Sequence, residues 1–389
     1  MPLSEPQIPA TIIQPTVADG SRTSKFEPNS VGLSCSGGGY KSGAFQLGAF
    51  IRLNETGLLK RIDRISSVSG GSIAAAFLGL RWHKLVWEND IATNFDAVIA
   101  RPLSSFFTSK SIDIVNIVAG LTLPYRTGAS GLKNAYRKHL FGDATLQDFP
   151  DPAIGEAPRF VILATDFELN TLWRFAKPYA ANYRVGQIDN PRFSLASLVT
   201  ASSAFPPFFC PIDIDLRNET IRPYEESDRH EPPYTMRMRL GDAGIYDNLG
   251  VEPIWKRCGV VLVSNAGDPF GEMSRSKRWS QVLRRSMSMM HRQAENNRMR
   301  WLHSLRLRGE RHLADWHLRQ DVSRFEGYQG IGLGGSDLED AQDYAVRLKR
   351  VRQRDYELLV RHGYSMCSAA LQHAKLMPNA KPAAWPTLA

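Results

Sequence analysis

Cysteine is scarce in this chain. The four present, Cys35, Cys210, Cys258 and Cys367, lie far apart with no paired spacing. That argues against a disulfide scaffold and against a cysteine-based zinc centre, and it suits a reducing compartment. Long apolar runs are missing too. A bilayer span needs about 20 uninterrupted apolar residues, and the most apolar window, residues 112–123, is broken by Asp113 and Asn116. The first thirty residues carry no apolar stretch behind a basic start, so they do not read as a secretory signal. A cytoplasmic location is expected, with room for peripheral attachment to a membrane.

What remains is an ordinary globular composition, 43% hydrophobic and 22% charged over 389 residues. Such a chain buries a sizeable core and is not disordered throughout. Its charge is uneven. Of the net +9, the whole excess falls between Arg275 and Arg324, where 13 Lys/Arg face 4 Asp/Glu. The rest of the chain is neutral, so the basic segment needs a partner hypothesis of its own.

Residues 1–30 read as a flexible lead-in and 376–389 as a tail, around one catalytic unit at 31–375. Val31–Cys35 has a buried-strand pattern and runs into the glycine turn Gly37-Gly38-Gly39; helical apolar spacing follows to Leu53. Ile62–Val68 is a second strand pattern, ending at Ser69-Gly70-Gly71 before another apolar helix. Strand, helix, strand, helix predicts a parallel βαβ unit in an α/β sheet. Residues 82–150 read as an inserted helical cap, and 270–325 as a basic, mostly helical segment. A last helix is predicted at about Leu338–Arg361.

Ser69 stands between a strand and a helix, flanked by Ser67, Gly70 and Gly71. A serine on such a sharp turn exposes its hydroxyl, and its small neighbours let the backbone fold tightly. The competing reading is a serine N-cap on a core helix. Three consecutive glycines after the first strand free backbone N–H groups for a nucleotide phosphate, a lipid phosphate or an acyl oxyanion. The Walker pattern fails at Cys35 and Tyr40, and the dinucleotide fingerprint fails at Ser42. For a general base, the late histidines all fall in the basic segment or the final helices, and none follows a strand. Asp242, in Gly241-Asp242-Ala243-Gly244 after the alternating run 236–240, is better placed. Asp247 reads as the cap of the next helix, Asn248 through Trp255.

Four patterns occur in order: Ser36-Gly37-Gly38-Gly39-Tyr40-Lys41, Ser67-Val68-Ser69-Gly70-Gly71, Ala201-Ser202-Ser203-Ala204-Phe205-Pro206-Pro207-Phe208, and Gly241-Asp242-Ala243-Gly244 with Ile245-Tyr246-Asp247-Asn248-Leu249-Gly250. Together they resemble the patatin-like phospholipases over about residues 31–375. The resemblance implies a three-layer α/β/α fold with a mostly parallel central sheet and an inserted helical cap. It implies a Ser-Asp dyad, with Ser69 as nucleophile and Asp242 as base. The amides of Gly37, Gly38 and Gly39 would form the oxyanion hole. Lys41 sits where the family has a basic residue for substrate or anion binding, and Ser67, Gly71 and Gly244 complete the motifs. The expected activity is release of fatty acids from phospholipids or related lipid esters through an acyl-enzyme. No cofactor or metal is expected. The resemblance also permits an activating nucleotide or protein partner.

A basic nucleic-acid-binding protein on the same scaffold, or a non-phospholipid esterase, is the alternative. The first is disfavoured because Trp279, Trp301 and Trp316 recur at roughly helical intervals, more like a packing face than a reading module. The basic cluster beside Trp279 is instead expected to meet an anionic membrane surface. Phe106 and Phe107, with the apolar residues of 112–121, leave a buried cap core and a lipid-facing lid both open.

Overall fold

The structure, a computed structural model, describes residues 26–110, 128–154, 157–206, 209, 211–267, 278–376 and 382–386. The expectations for 1–25 and 111–127 lie outside them. The strands are β1 (Glu27–Cys35), β2 (Arg64–Ser67), β3 (Trp87–Glu88), β4 (Ile91–Ala92), β5 (Arg159–Asp166), β6 (Thr171–Ala176), β7 (Tyr179–Asn182), β8 (Gly186–Asp189), β9 (Ile212–Asp215), β10 (Ile221–Arg222), β11 (Arg237–Gly241), β12 (Cys258–Asn265) and β13 (His312–His317). The α-helices are α1 (Gly39–Glu55), α2 (Gly70–Arg81), α3 (Arg101–Ser109), α4 (Gly128–Tyr136), α5 (Leu195–Ser202), α6 (Gly244–Asp247), α7 (Glu252–Trp255), α8 (Trp279–Leu307), α9 (Gly335–Asp343) and α10 (Gln353–His373).

Five strands form the parallel centre of the main sheet in the order β5-β2-β1-β12-β13, and β6, β7, β8 and β10 extend it antiparallel beyond β5. β11 pairs with the end of β5 and with β9. Central strands of such a sheet are covered on both faces, which is why Val31–Cys35 and Cys258–Asn265 read as nearly continuous apolar runs. Alternation along β12 shows the two faces. Leu262 joins the large core packed by α1, α2 and α10, whereas Val261 and Val263 join a second core with Ile254, Leu302 and Leu305 of α7 and α8. Helices on both faces of one sheet make the three layers.

Several expectations need correction. The first strand begins at Glu27, four residues early, because its edge backbone already pairs with β12 opposite Cys258 even though its first side chains are exposed. The last helix is two. Between α9 and α10 the chain runs extended, and its backbone docks elsewhere: the Arg347 carbonyl accepts the Tyr40 N–H at 2.9 Å, and the Val351 N–H donates to the Phe107 carbonyl at 2.9 Å. The tryptophans do not share a packing face. Trp279 is 78% exposed, Trp301 meets Trp255 edge-on at 3.9 Å between ring centroids, and Trp316 is buried in β13. Phe106 and Phe107 are core residues, packed with each other and with Tyr40 at 5.1 to 5.5 Å between centroids.

Candidate active site

Two glycine turns are pressed together at the carboxyl ends of β1 and β2. Ser69 ends the β2 turn with φ 50° and ψ −121°, a left-handed conformation that costs a non-glycine residue about 1–3 kcal/mol. The surroundings hold it there. Its N–H donates to Ser202 Oγ at 2.9 Å, and Ser202 Oγ also meets Ser72 Oγ at 2.9 Å. α2 starts at the next residue, so the positive end of its dipole lies beside the serine. A Cβ on Gly70 would sit 1.9 Å from the Gly39 carbonyl oxygen, and one on Gly71 would sit 2.4 Å from that of Cys35. Only glycine lets the two turns approach this closely. Ser67 is buried one step back, its hydroxyl 3.3 Å from the Val161 carbonyl and 3.1 Å from Ser72 Oγ, so it braces the turn.

Asp242 arrives from β11. Its N–H donates to the Ala204 carbonyl at 3.0 Å, and its own carbonyl accepts the Thr165 hydroxyl at 2.9 Å. Its carboxyl group is buried beside the Ser69 hydroxyl and accepts the Gly244 N–H at 2.7 Å. Burial dominates over both polar neighbours and raises its pKa from 3.8 to about 7. The loop beyond it is short helical turns, not the single helix from Asn248 to Trp255 that was expected. Asp247 ends α6, and its Oδ2 accepts the Glu252 N–H that opens α7, at 3.0 Å. Its Oδ1 faces the Arg298 guanidinium at 3.5 Å, across from Asp242 in role and partners.

The three glycines divide. The Gly37 N–H is committed to the Asn248 carbonyl at 3.1 Å, so it is not available to an oxyanion. Among the described residues, the amides of Gly38 (φ 144°) and Gly39 (φ 61°) donate to no protein acceptor. Gly37 instead supplies close approach, since a Cβ there would lie 3.2 Å from Ser69 Cβ and 2.5 Å from Asn248 Oδ1. Lys41 is wholly buried in the first turn of α1, and its charge helps depress the pKa of His317, which burial chiefly pushes down to about 3. That position is inside the protein.

The histidine expectation also changes. His312 and His317 belong to a strand, β13, and His291 of α8 lies beside the Gly244 backbone. Burial lowers the His291 pKa, and its other charged neighbours are Glu295 and Arg298. Ser202, Thr165 and Asn248 are not singled out by residue chemistry, although Ser202 and Asn248 lie inside the four patterns and Thr165 inside Ala164-Thr165-Asp166, which also resembles the family. Their signal was positional only, because each acts on a partner far away in the chain.

Residues 33–255, more than half of the chain, match the family model described as patatin-like phospholipase. Among solved structures, human GIVD cytosolic phospholipase A2 superposes with a TM-score of 0.52 at 12% identity, covering 91% of this chain and 63% of that one. The complex of that human protein with methyl gamma-linolenyl fluorophosphonate gives 0.50 at 13% identity, with 90% and 59% covered. This chain therefore spans less than two thirds of that protein's length, and at such identity the likeness is one of fold. No curated protein matches the chain in sequence.

Proposed function

Because the chain belongs to the patatin-like phospholipase family, we propose that it hydrolyses lipid acyl esters through an acyl-enzyme on Ser69, with Asp242 as the general base. The observation that carries this reading is the buried carboxyl group of Asp242, held beside Ser69 by the Gly244 N–H, with a pKa raised to about 7. An ordinary aspartate is too weak a base at neutral pH, and one near 7 balances availability against proton affinity. The Ser69 oxygen attacks the ester carbonyl carbon as its proton passes to Asp242. The carbonyl electrons move onto the oxygen, which the Gly38 and Gly39 amides are free to receive. The tetrahedral intermediate collapses, and the alcohol leaves with the proton from Asp242. Water then attacks the acyl-enzyme, giving its proton to the same carboxylate, and the fatty acid departs while Ser69 is reprotonated.

The strained backbone at Ser69 supports this assignment, since a mere helix cap has no need of it. We assign the reaction to one catalytic unit across residues 31–375, consistent with β12, β13 and α10 completing the sheet and its cover. The neighbouring fold bound to a fluorophosphonate with a fatty chain supports a lipid acyl group as substrate. Mass spectrometry of a phospholipid mixture incubated with the protein tests the reading. Free fatty acid and lysolipid should accumulate, and Ser69→Ala should reduce the rate by at least about a thousandfold. Equal product from both proteins would remove Ser69 from the mechanism.

A further inference from the structure

The first three turns of α8 present apolar side chains to solvent. Trp279 is 78% exposed and Met290 65%, and Val282, Leu283 and Met287 are about half exposed. At 3.6 residues per turn these positions share one side of the helix over about 16 Å. A protein does not normally leave such a stripe bare. The helix is also strongly basic, with six arginines against the single Glu295. Arg292 is exposed next to the end of the stripe.

The stripe ends where the helix meets the candidate site. His291, the residue after Met290, lies beside the backbone of Gly244, two residues beyond Asp242, and farther along α8 Arg298 faces Asp247 at 3.5 Å. Ile245, the residue after Gly244, is 40% exposed. Phe205, 53% exposed, follows Ala204, whose carbonyl receives the Asp242 N–H. An apolar rim and an apolar helix face thus adjoin at the site, with cationic side chains on the helix that carries them.

We propose that the first three turns of α8, together with Phe205 and Ile245, dock the protein on an anionic phospholipid surface with the Ser69 and Asp242 site at the interface. The inference rests on the lipid-hydrolase reading and deepens it. A tryptophan with aliphatic side chains on one side of a helix and arginines elsewhere on it is the pattern that lies in the headgroup layer. The arginines select anionic lipid, with an attraction that salt screens. A second copy of this chain would gain nothing from the positive charge, since both faces would carry it.

The test uses the full chain bearing Ser69→Ala, so that vesicles stay intact, and co-sedimentation with phosphatidylcholine vesicles with and without phosphatidylglycerol. Binding should require phosphatidylglycerol and weaken at high salt. Trp279→Ser with Met290→Ser, and separately Arg292→Glu, should each weaken it about tenfold. In the Ser69 background the same substitutions should leave turnover of a soluble short-chain ester unchanged. Vesicle binding that ignores these substitutions overturns the proposal. So does lipid-free dimerisation that Trp279→Ser with Met290→Ser abolishes, because the stripe would then be an interface between copies. A protein that binds vesicles through this face yet cleaves no ester would instead sink the hydrolase reading and leave the docking face standing.

Discussion

The loops around Ser69 and the first turns of α8 adjoin, yet they are built on opposite plans. Around Ser69 and Asp242 the backbone does the positioning: glycine turns packed carbonyl to Cα, and buried hydroxyls that each serve a neighbouring loop. On α8 the backbone is a plain helix and the side chains are left facing water. A site that must hold one geometry spends its polar groups on itself. A face that must meet something larger keeps its apolar groups outward. Neither region makes sense by the other's rule, and substitutions should reveal the contrast.

The largest effect is expected in the aromatic cluster beneath the site. Phe107→Ala should cost about 3–5 kcal/mol in unfolding free energy, because the ring is wholly buried against Tyr40 and Phe106. On α8, Met290→Ala should change stability by no more than about 0.5 kcal/mol. Denaturant unfolding of both variants measures the gap, and similar losses would erase the distinction between the regions.

The pH profile comes next. If Asp242 is the base, only its carboxylate is active, so kcat/KM should fall about tenfold per unit as pH drops below about 7. Stability should run the other way. Burial raises this pKa above its value of 3.8, so the contribution of the neutral acid is complete below about 4 and is lost as pH rises through about 7. Asp242→Asn should therefore gain in melting temperature relative to the parent between pH 4 and pH 8. A flat activity profile from pH 5 to 8 would take the base role from Asp242.

The smallest effect probes the brace itself. Ser202 holds the Ser69 amide with its side chain, and its carbonyl accepts the Ala243 N–H at 3.3 Å, so it ties both loops. Ser202→Ala should lower kcat about tenfold with KM unchanged, and Ser202→Thr should restore part of the loss. A matching rise in KM would make it a substrate contact instead.

Much of this was legible in the residues. The strand-to-helix turns at Gly37 and Ser69, and the loop after β11, followed from local periodicity and small-residue clusters. What stayed hidden depends on partners far off in the chain. Which glycine amide is free turns on Asn248, more than 200 residues beyond Gly37. The break between α9 and α10 has no proline or glycine at residues 344–352; it is imposed by Tyr40 and Phe107. The exposure of Trp279 is likewise a tertiary fact, because the same helical spacing suits a buried face and a bare one.

β1 stands between β2 and β12 in the sheet, and this order has a consequence for synthesis of the chain. Its first neighbour is made within about forty residues, but its second, Cys258–Asn265, emerges more than 220 residues later. α10, which packs on α1 so closely that a Cβ on Gly48 would lie 1.9 Å from the Val360 carbonyl oxygen, comes later still. A nascent chain must therefore carry a half-paired apolar strand and an uncovered helix through most of translation. Such long-range closure slows folding and leaves an edge open to other chains. The protein should depend on chaperones in the cell, and fragments ending near residue 255 should aggregate instead of folding.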